Sequence, residues 1–203
     1  MQFKPIRRLE LRGITKRFPG ILACDHIDLS VGEHSVRALV GEHGAGTSTL
    51  VNILMGLYQP DVGGILINGQ EVRFRSPNDA FAHGIGMVHQ HFMLVPNMTV
   101  TENVALGMKS THRPLRLDLG AARRRILEVS ELHELPVNPD AYVWQLSVGE
   151  QQRVELVKTL CLGARFLILD EPTSALTPQE TDELIELLKK MSRELSVIFI
   201  SHK

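Results

Sequence analysis

The chain has 203 residues, 43% of them hydrophobic and 22% charged, which supports a folded domain with a buried core and excludes a disordered tail. Its 22 basic and 23 acidic residues leave a net charge of −1, so we expect no broad electrostatic attraction to nucleic acid or anionic lipid. No apolar run reaches membrane-spanning length and no signal-type stretch opens the sequence, so any work at a membrane would require another protein to hold the chain there.

The N-terminal part of the sequence predicts short strands, a glycine-rich turn and one helix. Three runs are rich in β-branched residues or alternate between apolar and polar residues, as strands do: residues 9–18, 27–31 and 36–40. The third run stops at a glycine-rich turn, residues 41–46, and apolar residues then recur at helical spacing over residues 48–57. A turn, a short strand and a hairpin signal follow at Gly63-Gly64, residues 65–67 and Asn68-Gly69.

The second half of the sequence predicts a helical segment and then a return to strands. Residues 94–146 are punctuated by proline and contain a basic, helical pattern at residues 121–132. Residues 166–169 form a continuous apolar run, as in a parallel strand that is buried on both faces. An amphipathic helix and another buried strand are expected over residues 181–191 and 197–200. This order predicts an α/β fold in which a P-loop core is interrupted by a mostly helical lobe.

The glycine-rich turn has the composition of a phosphate-binding loop and reads Gly41-Glu42-His43-Gly44-Ala45-Gly46-Thr47-Ser48-Thr49. Because it follows a strand and opens a helix, its backbone N–H groups can converge on phosphate oxygens beside the positive end of the helix dipole. Ser48 has the position of the hydroxyl that would ligate Mg²⁺ in such a loop. The full pattern has lysine just before this hydroxyl, where this chain has Thr47. By itself the turn fits either a phosphate site or an ordinary strand–helix loop.

Two acidic residues, Asp170 and Glu171, follow the apolar run at residues 166–169. Ligands of open α/β sheets bind at the carboxyl ends of the strands, where these carboxylates are expected to lie. Asp170 would hold Mg²⁺ directly or through water, and Glu171 would polarise or deprotonate the water that attacks a γ-phosphate. The alternative is that both residues simply end a strand.

A third motif, which reads Leu146-Ser147-Val148-Gly149-Glu150-Gln151-Gln152, stands just ahead of a helix that we expect to run to about residue 162. Ser147 is a plausible N-cap, and Glu150 stands three residues further on, which together make a capping box. The same geometry would also bind a phosphate at the helix N-terminus. By spacing alone, the simple cap is the favoured interpretation.

The third motif and the stretch Asp-Glu-Pro-Thr-Ser-Ala-Leu about 20 residues after it resemble the signature and Walker B segments of ABC transporter ATPases. The resemblance runs from about residue 9 to the last residue, and residues 87–94 and 146–155 are most similar to the simple-sugar and nucleoside importers. It implies a P-loop NTPase (RecA-like) core with an inserted helical subdomain. We expect residues 1–93 and 160–203 to form the core and residues 94–159 the helical signature subdomain.

The resemblance also implies roles for individual residues around one nucleotide. The Walker A loop would comprise Gly41, Gly44, Ala45, Gly46, Thr47, Ser48 and Thr49. Phe18 would stack on adenine, and Gln90 would sense Mg²⁺ and the γ-phosphate. Asp170 would bind Mg²⁺, Glu171 would be the catalytic base, and His202 would hydrogen-bond the γ-phosphate. His89 and His91 flank Gln90 and suggest a metal site only weakly, because no third ligand is indicated nearby.

Other implied roles involve a second domain. Ser147 and Gly149 would contact the γ-phosphate held by the opposing domain of a head-to-tail dimer, and residues 174–177 match the D-loop. The resemblance implies a subunit that binds and hydrolyses ATP with Mg²⁺ and energises an importer of sugars or nucleosides. Its partners would be transmembrane permease subunits, a second ATPase domain in a homodimer or tandem copy, and indirectly a solute-binding protein. It would lie on the cytoplasmic face of the membrane, which suits a sequence whose two cysteines, Cys24 and Cys161, form no pairing motif.

Two departures from the family pattern bear on this expectation. A hydroxyl at Thr47 cannot replace the lysine charge between the β- and γ-phosphates, so we expect weak MgATP binding and slow or absent hydrolysis. The chain also stops one residue after His202, where relatives continue, so we expect a truncated first ATPase domain. A hydrolysis-deficient nucleotide-binding partner is one alternative function. Another is a soluble ABC ATPase acting on ribosomes or DNA, which the near-neutral charge disfavours.

Overall fold

A computed structural model describes residues 5–42, 44–108 and 117–201. Within these ranges the chain forms eight strands and six α-helices, with a short 3-10 turn at Val143–Gln145. The strands are β1 Arg8–Phe18, β2 Ile21–Gly32, β3 Val36–Val40, β4 Val62–Ile67, β5 Gln70–Val72, β6 Ile85–Val88, β7 Phe166–Asp170 and β8 Ser196–Ser201. The helices are α1 Thr47–Leu54, α2 Pro77–Ala82, α3 Val100–Gly107, α4 Leu119–Leu132, α5 Val148–Cys161 and α6 Pro178–Met191.

One sheet is antiparallel, in the order β2-β1-β4-β5. The hairpin expected at Asn68-Gly69 is confirmed: both residues have positive φ, 53° and 78°, as a tight two-residue turn requires. The turn expected at Gly63-Gly64 is wrong, because both glycines lie inside β4. Gly63 has φ 87° and lies against the backbone of β1, where the pairing of β1 with β4 shifts register between Arg12 and Thr15. The two glycines therefore mark an irregularity within the strand.

The other sheet is parallel, in the order β3-β8-β7-β6. The buried parallel strand expected at residues 166–169 is confirmed, since all four of these residues are fully buried. Successive side chains of a strand point to opposite faces. Phe166 and Ile168 accordingly join one core cluster, and Leu167 and Leu169 join another.

The core has two clusters, one on each face of the parallel sheet. On one face, Leu50, Ile53 and Leu54 of α1 pack between the parallel sheet and the antiparallel sheet. On the other face, α3, α4, α5 and α6 contribute buried side chains to a mostly helical layer. Helix α1 ends at Leu54, before residue 57 where the spacing had predicted its end. Gly56 follows with φ 71°, a backbone conformation that does not continue a helix.

Helices occupy much of the segment that was expected to form a helical lobe. Helices α3, α4 and α5 fall within or across its limits and pack on one another, while α2, α3 and β6 had not been delimited from the sequence. The boundaries at residues 93–94 and 159–160 stay a prediction. In the described part of the chain, no helix is both long enough and apolar enough to cross a membrane. Cys24 and Cys161 are both buried and unpaired, and burial raises the pKa of the Cys161 thiol to about 12.

Three α-helices begin with a capping box in which a hydroxyl and a glutamate exchange hydrogen bonds with the backbone: Thr99 and Glu102 for α3, Ser147 and Glu150 for α5, and Thr177 and Glu180 for α6. The capping box expected at Ser147 is therefore confirmed. In each pair the backbone N–H of the capping residue donates to the glutamate carboxylate. This bond favours the ionised carboxylate and lowers the pKa of all three glutamates.

The lowered pKa of Glu102 predicts a loss of stability in acid. Because the unfolded chain binds the proton more tightly than the folded one, this contribution is full above the ordinary glutamate pKa of about 4.3. It is lost as the pH falls through the lower, folded-state pKa. We expect Glu102→Gln to flatten the decline in the free energy of unfolding below that pH, as measured by urea unfolding across a pH series. An unchanged decline in the variant would contradict the assignment.

Candidate functional site

The carboxyl ends of the four parallel strands meet at one edge of the sheet, and the predicted site residues follow these strands directly. The Gly41 N–H, just after β3, donates to the Ser201 carbonyl at the end of β8 over 3.4 Å. The Glu171 N–H, just after β7, donates to the Ile200 carbonyl over 3.1 Å. Gln90, two residues after β6, donates from Nε2 to Oε2 of Glu171 over 3.3 Å. Residues from four separate parts of the sequence are thus brought together.

The glycine-rich loop is folded so that the first turn of α1 is open at its N-terminus. Gly44 and Gly46 have φ 88° and 87°, the left-handed conformation that glycine adopts without strain. The Ala45 N–H donates to the Glu42 carbonyl over 3.0 Å, which closes the loop on itself. The N-cap of α1 is Gly46, which has no side chain to accept from the first amides of the helix. The amides of that turn are therefore available to an anion, where α3, α5 and α6 use theirs in capping boxes.

The antiparallel sheet supports this loop from one side. A Cβ on Gly46 would lie 2.1 Å from the Ala23 carbonyl oxygen of β2, so the loop and the strand are in direct backbone contact. The neighbouring Cys24 places Sγ 3.7 Å from the Gly46 carbonyl oxygen, and burial raises the pKa of this thiol. These contacts fix the position of the loop relative to β2.

Phe18 lies near the tip of the same β1–β2 hairpin, a few residues from the contact with Gly46. Its half-buried ring packs edge-on against Tyr58, with the ring centroids 5.3 Å apart. The Lys16 ammonium lies 5.6 Å from the Phe18 ring and forms an ion pair of 2.9 Å with Asp61. Tyr58 was missed in the sequence, because only the fold brings it from beyond α1 to the hairpin. Its ring packs against the Phe18 ring at the base of this site.

Thr47 occupies the first position of α1, where the full loop pattern has lysine. A Cβ on Gly41 would lie 3.3 Å from the Thr47 methyl group, so this short side chain packs back against the start of the loop. Ser48 is exposed on the first turn, and Thr49 is half-buried beside it. The loop therefore offers hydroxyls and amides, with no ammonium group from position 47.

Asp170 and Glu171 place two carboxylates at the carboxyl end of β7. Glu171 has φ 45°, a conformation that costs a non-glycine residue energy and that is enriched at functional sites. Ser48, Gln90 and Asp170 supply hydroxyl, amide and carboxylate oxygens, a donor set that fits Mg²⁺. Within the described ranges, no three His, Cys, Asp or Glu residues cluster as a metal site. That finding gives no support to a site at His89 and His91.

Two predicted residues make no described contact with the glycine-rich loop, and a third lies outside the described residues. Ser147 and Gly149 begin α5, and among the described residues no hydrogen bond or ion pair joins either of them to the 41–49 loop. His202 lies outside the described residues. Gln152, which the sequence did not single out, is buried and donates from Nε2 to the Pro172 carbonyl over 2.8 Å. This bond links α5 to the segment that follows Asp170 and Glu171.

A family model described as ABC transporter matches residues 24–174 of the chain. The chain belongs to the ABC transporter family. The match includes the 41–49 loop, Gln90, the start of α5 and the two carboxylates after β7. The sequence-based identification of the family is therefore confirmed.

Curated relatives of this ABC family chain are import proteins by name. It is 48% identical to the nucleoside import ATP-binding protein NupA of Lactococcus lactis, over 96% of this chain and 38% of that protein. It is 43% identical to the glucose import ATP-binding protein TsgD13 of Haloferax volcanii, over 100% of this chain and 42% of that protein. The chain thus spans well under half the length of these relatives.

Solved ABC cassettes share the fold of the chain. The ADP conformation of MJ1267, an ATP-binding cassette of an ABC transporter, matches with a TM-score of 0.84 and 22% identity, over 96% of this chain and 81% of that one. The dimeric structure of MJ0796, a bacterial ABC transporter cassette, matches with a TM-score of 0.77 and 28% identity, over 96% of this chain and 88% of that one. The expected α/β P-loop fold is confirmed.

The contact between the loop and β2 predicts unequal effects of two similar substitutions. Gly46→Ala would drive a Cβ into the Ala23 carbonyl, so we expect it to lower the free energy of unfolding by more than about 2 kcal/mol. Gly44→Ala has the same positive φ but nothing within 4 Å of the added Cβ, so it should cost only about 1–2 kcal/mol. Urea unfolding of both variants without nucleotide measures the difference, and equal losses would contradict the contact.

Proposed function

We propose that the chain is the ATP-binding, ATP-hydrolysing subunit of an ABC importer for sugars or nucleosides. The observation that carries the proposal is the convergence of the glycine-rich loop, Gln90 and the two carboxylates at one edge of the parallel sheet. An open helix N-terminus beside oxygen ligands is suited to a nucleotide phosphate chain with its metal ion. The membership in the ABC transporter family supports this reading of the edge.

In the proposed site the loop binds the phosphates. The backbone N–H groups of Gly44, Gly46, Thr47, Ser48 and Thr49 would donate to phosphate oxygens. Ala45, whose N–H is bonded to the Glu42 carbonyl, and Gly41, which leaves room for the Ala45 and Thr47 side chains, would shape the loop around the phosphates. Phe18, held by Tyr58, would stack on the adenine ring. Ser48, Asp170 and Gln90 would hold Mg²⁺, which when bound offsets negative charge on the β- and γ-phosphates.

Glu171 is the proposed general base. It would accept a proton from water while the water oxygen bonds to the γ-phosphorus and the bond from that phosphorus to the β–γ bridging oxygen breaks. Gln90, which already donates to Glu171, would report the presence of the γ-phosphate by changing this bond. His202 is assigned a hydrogen bond to the γ-phosphate. The products are ADP and phosphate, and the proton leaves through Glu171.

A complete site requires a second copy of the ATPase domain. Ser147 and Gly149 begin a helix in the other core layer and make no described bond to the loop of their own chain. We therefore assign them to the γ-phosphate held by an opposing domain, in a homodimer or a tandem arrangement. The dimeric state of the related MJ0796 cassette supports this assignment. Residues 1–93 and 160–203 would form the ATPase core, and residues 94–159 the signature subdomain.

The importer assignment rests on the relatives. NupA and TsgD13 are by name ATP-binding proteins of nucleoside and glucose import, and they support a sugar or nucleoside as the transported solute. In such a system the chain would work on the cytoplasmic face of the membrane with transmembrane permease subunits. A solute-binding protein would act through those permeases, and nucleic acid is not an expected partner.

Thr47 supports one alternative, a hydrolysis-deficient partner that binds nucleotide and lends Ser147 and Gly149 to an opposing site. Its hydroxyl supplies one hydrogen bond where the loop pattern has a full positive charge. Loss of a charged hydrogen bond costs about 1.5–3 kcal/mol, and loss of a transition-state donor slows turnover by about 10²–10³-fold. The proposed subunit is therefore a slow ATPase at its own loop.

Thr47→Lys tests both readings. We expect the variant to hydrolyse MgATP about 10²–10³-fold faster than the unmodified chain, since the ammonium group stabilises charge on the transferred phosphoryl group. Phosphate release at high protein concentration measures the rates, and fluorescent-nucleotide titration measures MgATP affinity. Thr47→Lys combined with Glu171→Gln is the control and should be inactive while still binding MgATP.

The possible results distinguish an ATPase that is limited by Thr47 from one that tolerates the missing lysine. Equal activity in the unmodified chain and the Thr47→Lys variant would show that the missing charge is tolerated and would contradict the slow-ATPase reading. Activity confined to the variant would support a sound ATPase fold that is limited at one position. Failure of both chains to bind MgATP would contradict the proposed function.

A further inference from the structure

Glu180 uses its two carboxylate oxygens in two different directions. Oε2 accepts from the backbone N–H and from the hydroxyl of Thr177, both over 2.9 Å, and so completes the capping box of α6. Oε1 faces α5: a Cβ placed on Gly149 would lie 2.7 Å from it. The backbone of Gly149 thus lies beside this carboxylate and, after the two bonds from Thr177, contributes to the lowered pKa of Glu180. One side chain therefore joins the N-termini of two helices.

The other two capping boxes show that a capping glutamate does not generally contact a second helix. Glu102 and Glu150 make the same exchange with Thr99 and Ser147, through bonds of similar length. Among the described residues, neither of these carboxylates accepts a hydrogen bond from another helix. Capping alone thus explains Glu102 and Glu150, and it leaves the contact of Glu180 with Gly149 unexplained.

The same two regions are joined a second time. Gln152, one turn further along α5, is buried and donates to the Pro172 carbonyl in the segment between β7 and α6. The Glu180 contact and the Gln152 bond therefore join the start of α5 both to α6 and to the segment after Asp170 and Glu171. Two contacts at separate points restrict rotation as well as translation of the helix end.

We propose that Glu180 is a positioning residue that sets the orientation of the α5 N-terminus, and with it the Ser147 hydroxyl and the amides of the first turn. This inference rests on the proposed function, in which that helix end meets the nucleotide of a second copy. Glu180 touches neither nucleotide nor metal in this assignment and acts through Gly149. It also gives Gly149 a local reason to be glycine, because any Cβ would displace the carboxylate.

The first test measures the contact itself in the nucleotide-free chain. In Glu180→Ala, we expect the amide hydrogen of Gly149 to exchange with solvent about tenfold faster or more, because a charge-assisted acceptor is lost. Glu102→Ala removes a glutamate from an equivalent capping box and should leave the exchange of the Gly149 amide unchanged. Residue-resolved NMR of the full chain provides the rates. An equal rate in Glu180→Ala and the unmodified chain would overturn the proposal.

The second test asks whether the contact serves the assembled site. We expect Glu180→Ala to weaken MgATP-dependent dimerisation by about tenfold, while the affinity of the monomer for a fluorescent ATP analogue stays unchanged. Glu102→Ala should change neither quantity. Glu180→Gln keeps an acceptor without the charge and should lie between the unmodified chain and Glu180→Ala. Sedimentation in the presence and absence of MgATP measures dimerisation.

The outcomes of the two tests are distinct. Faster Gly149 exchange with unchanged dimerisation would overturn the positioning role, because the contact would then be only structural. Weakened monomer affinity in Glu180→Ala would also overturn it, since a positioning role at the second copy leaves the chain's own loop intact. Absence of any MgATP-dependent dimer in the unmodified chain would count against the proposed function, and the exchange experiment would still decide whether the Glu180 contact exists.

Discussion

The burial of β7 and β8 in the middle of the parallel sheet determines where the other elements of the fold lie. Apolar side chains on both faces of these strands fix the two core clusters, and backbone pairing fixes their register with β3 and β6. Because all four strands run in the same direction, their carboxyl ends must meet at one edge. The glycine-rich loop, Gln90 and the two carboxylates are neighbours for this reason, although up to 130 residues of sequence separate them.

The N-termini of the helices differ in how their first backbone amides are satisfied. In α3, α5 and α6 the first amides are satisfied by capping boxes, which stabilise the helices without help from a ligand. In α1 the capping position is Gly46, and backbone contact with β2 holds the loop open in place of a side-chain cap. The α-helices of one layer thus begin with side-chain caps, and α1 in the other layer begins without one. The Glu180 contact adds a link between two of the stable ends.

Much of the fold was predictable from local pattern. Strand β3 has the bounds that its β-branched run predicted, and the buried run at residues 166–169 became the central strand β7. The capping box at Ser147 followed from the three-residue spacing between Ser147 and Glu150. These features depend on periodicity and on short-range hydrogen bonds, which a single sequence displays directly.

Features that depend on tertiary contact were not predictable. Gly63-Gly64 has the composition of a turn, and only its packing against β1 keeps it inside a strand. The contact of Tyr58 with Phe18 joins segments that are separated by the whole of the loop and α1. The Thr177–Glu180 spacing indicates a cap, and nothing in it indicates that the carboxylate also reaches Gly149. The motifs of the site could be recognised in the sequence, but the distances and contacts between them could be obtained only from the folded structure.

One edge of the parallel sheet is assigned as the nucleotide site, and amide hydrogen exchange with and without millimolar MgATP decides this assignment. We expect MgATP to slow exchange together in the 41–50 segment, around Gln90 and at residues 170–171, and to leave the hairpin of β4 and β5 unchanged. Protection that appears in the hairpin, or in only one of the three edge segments, would rule the assignment out.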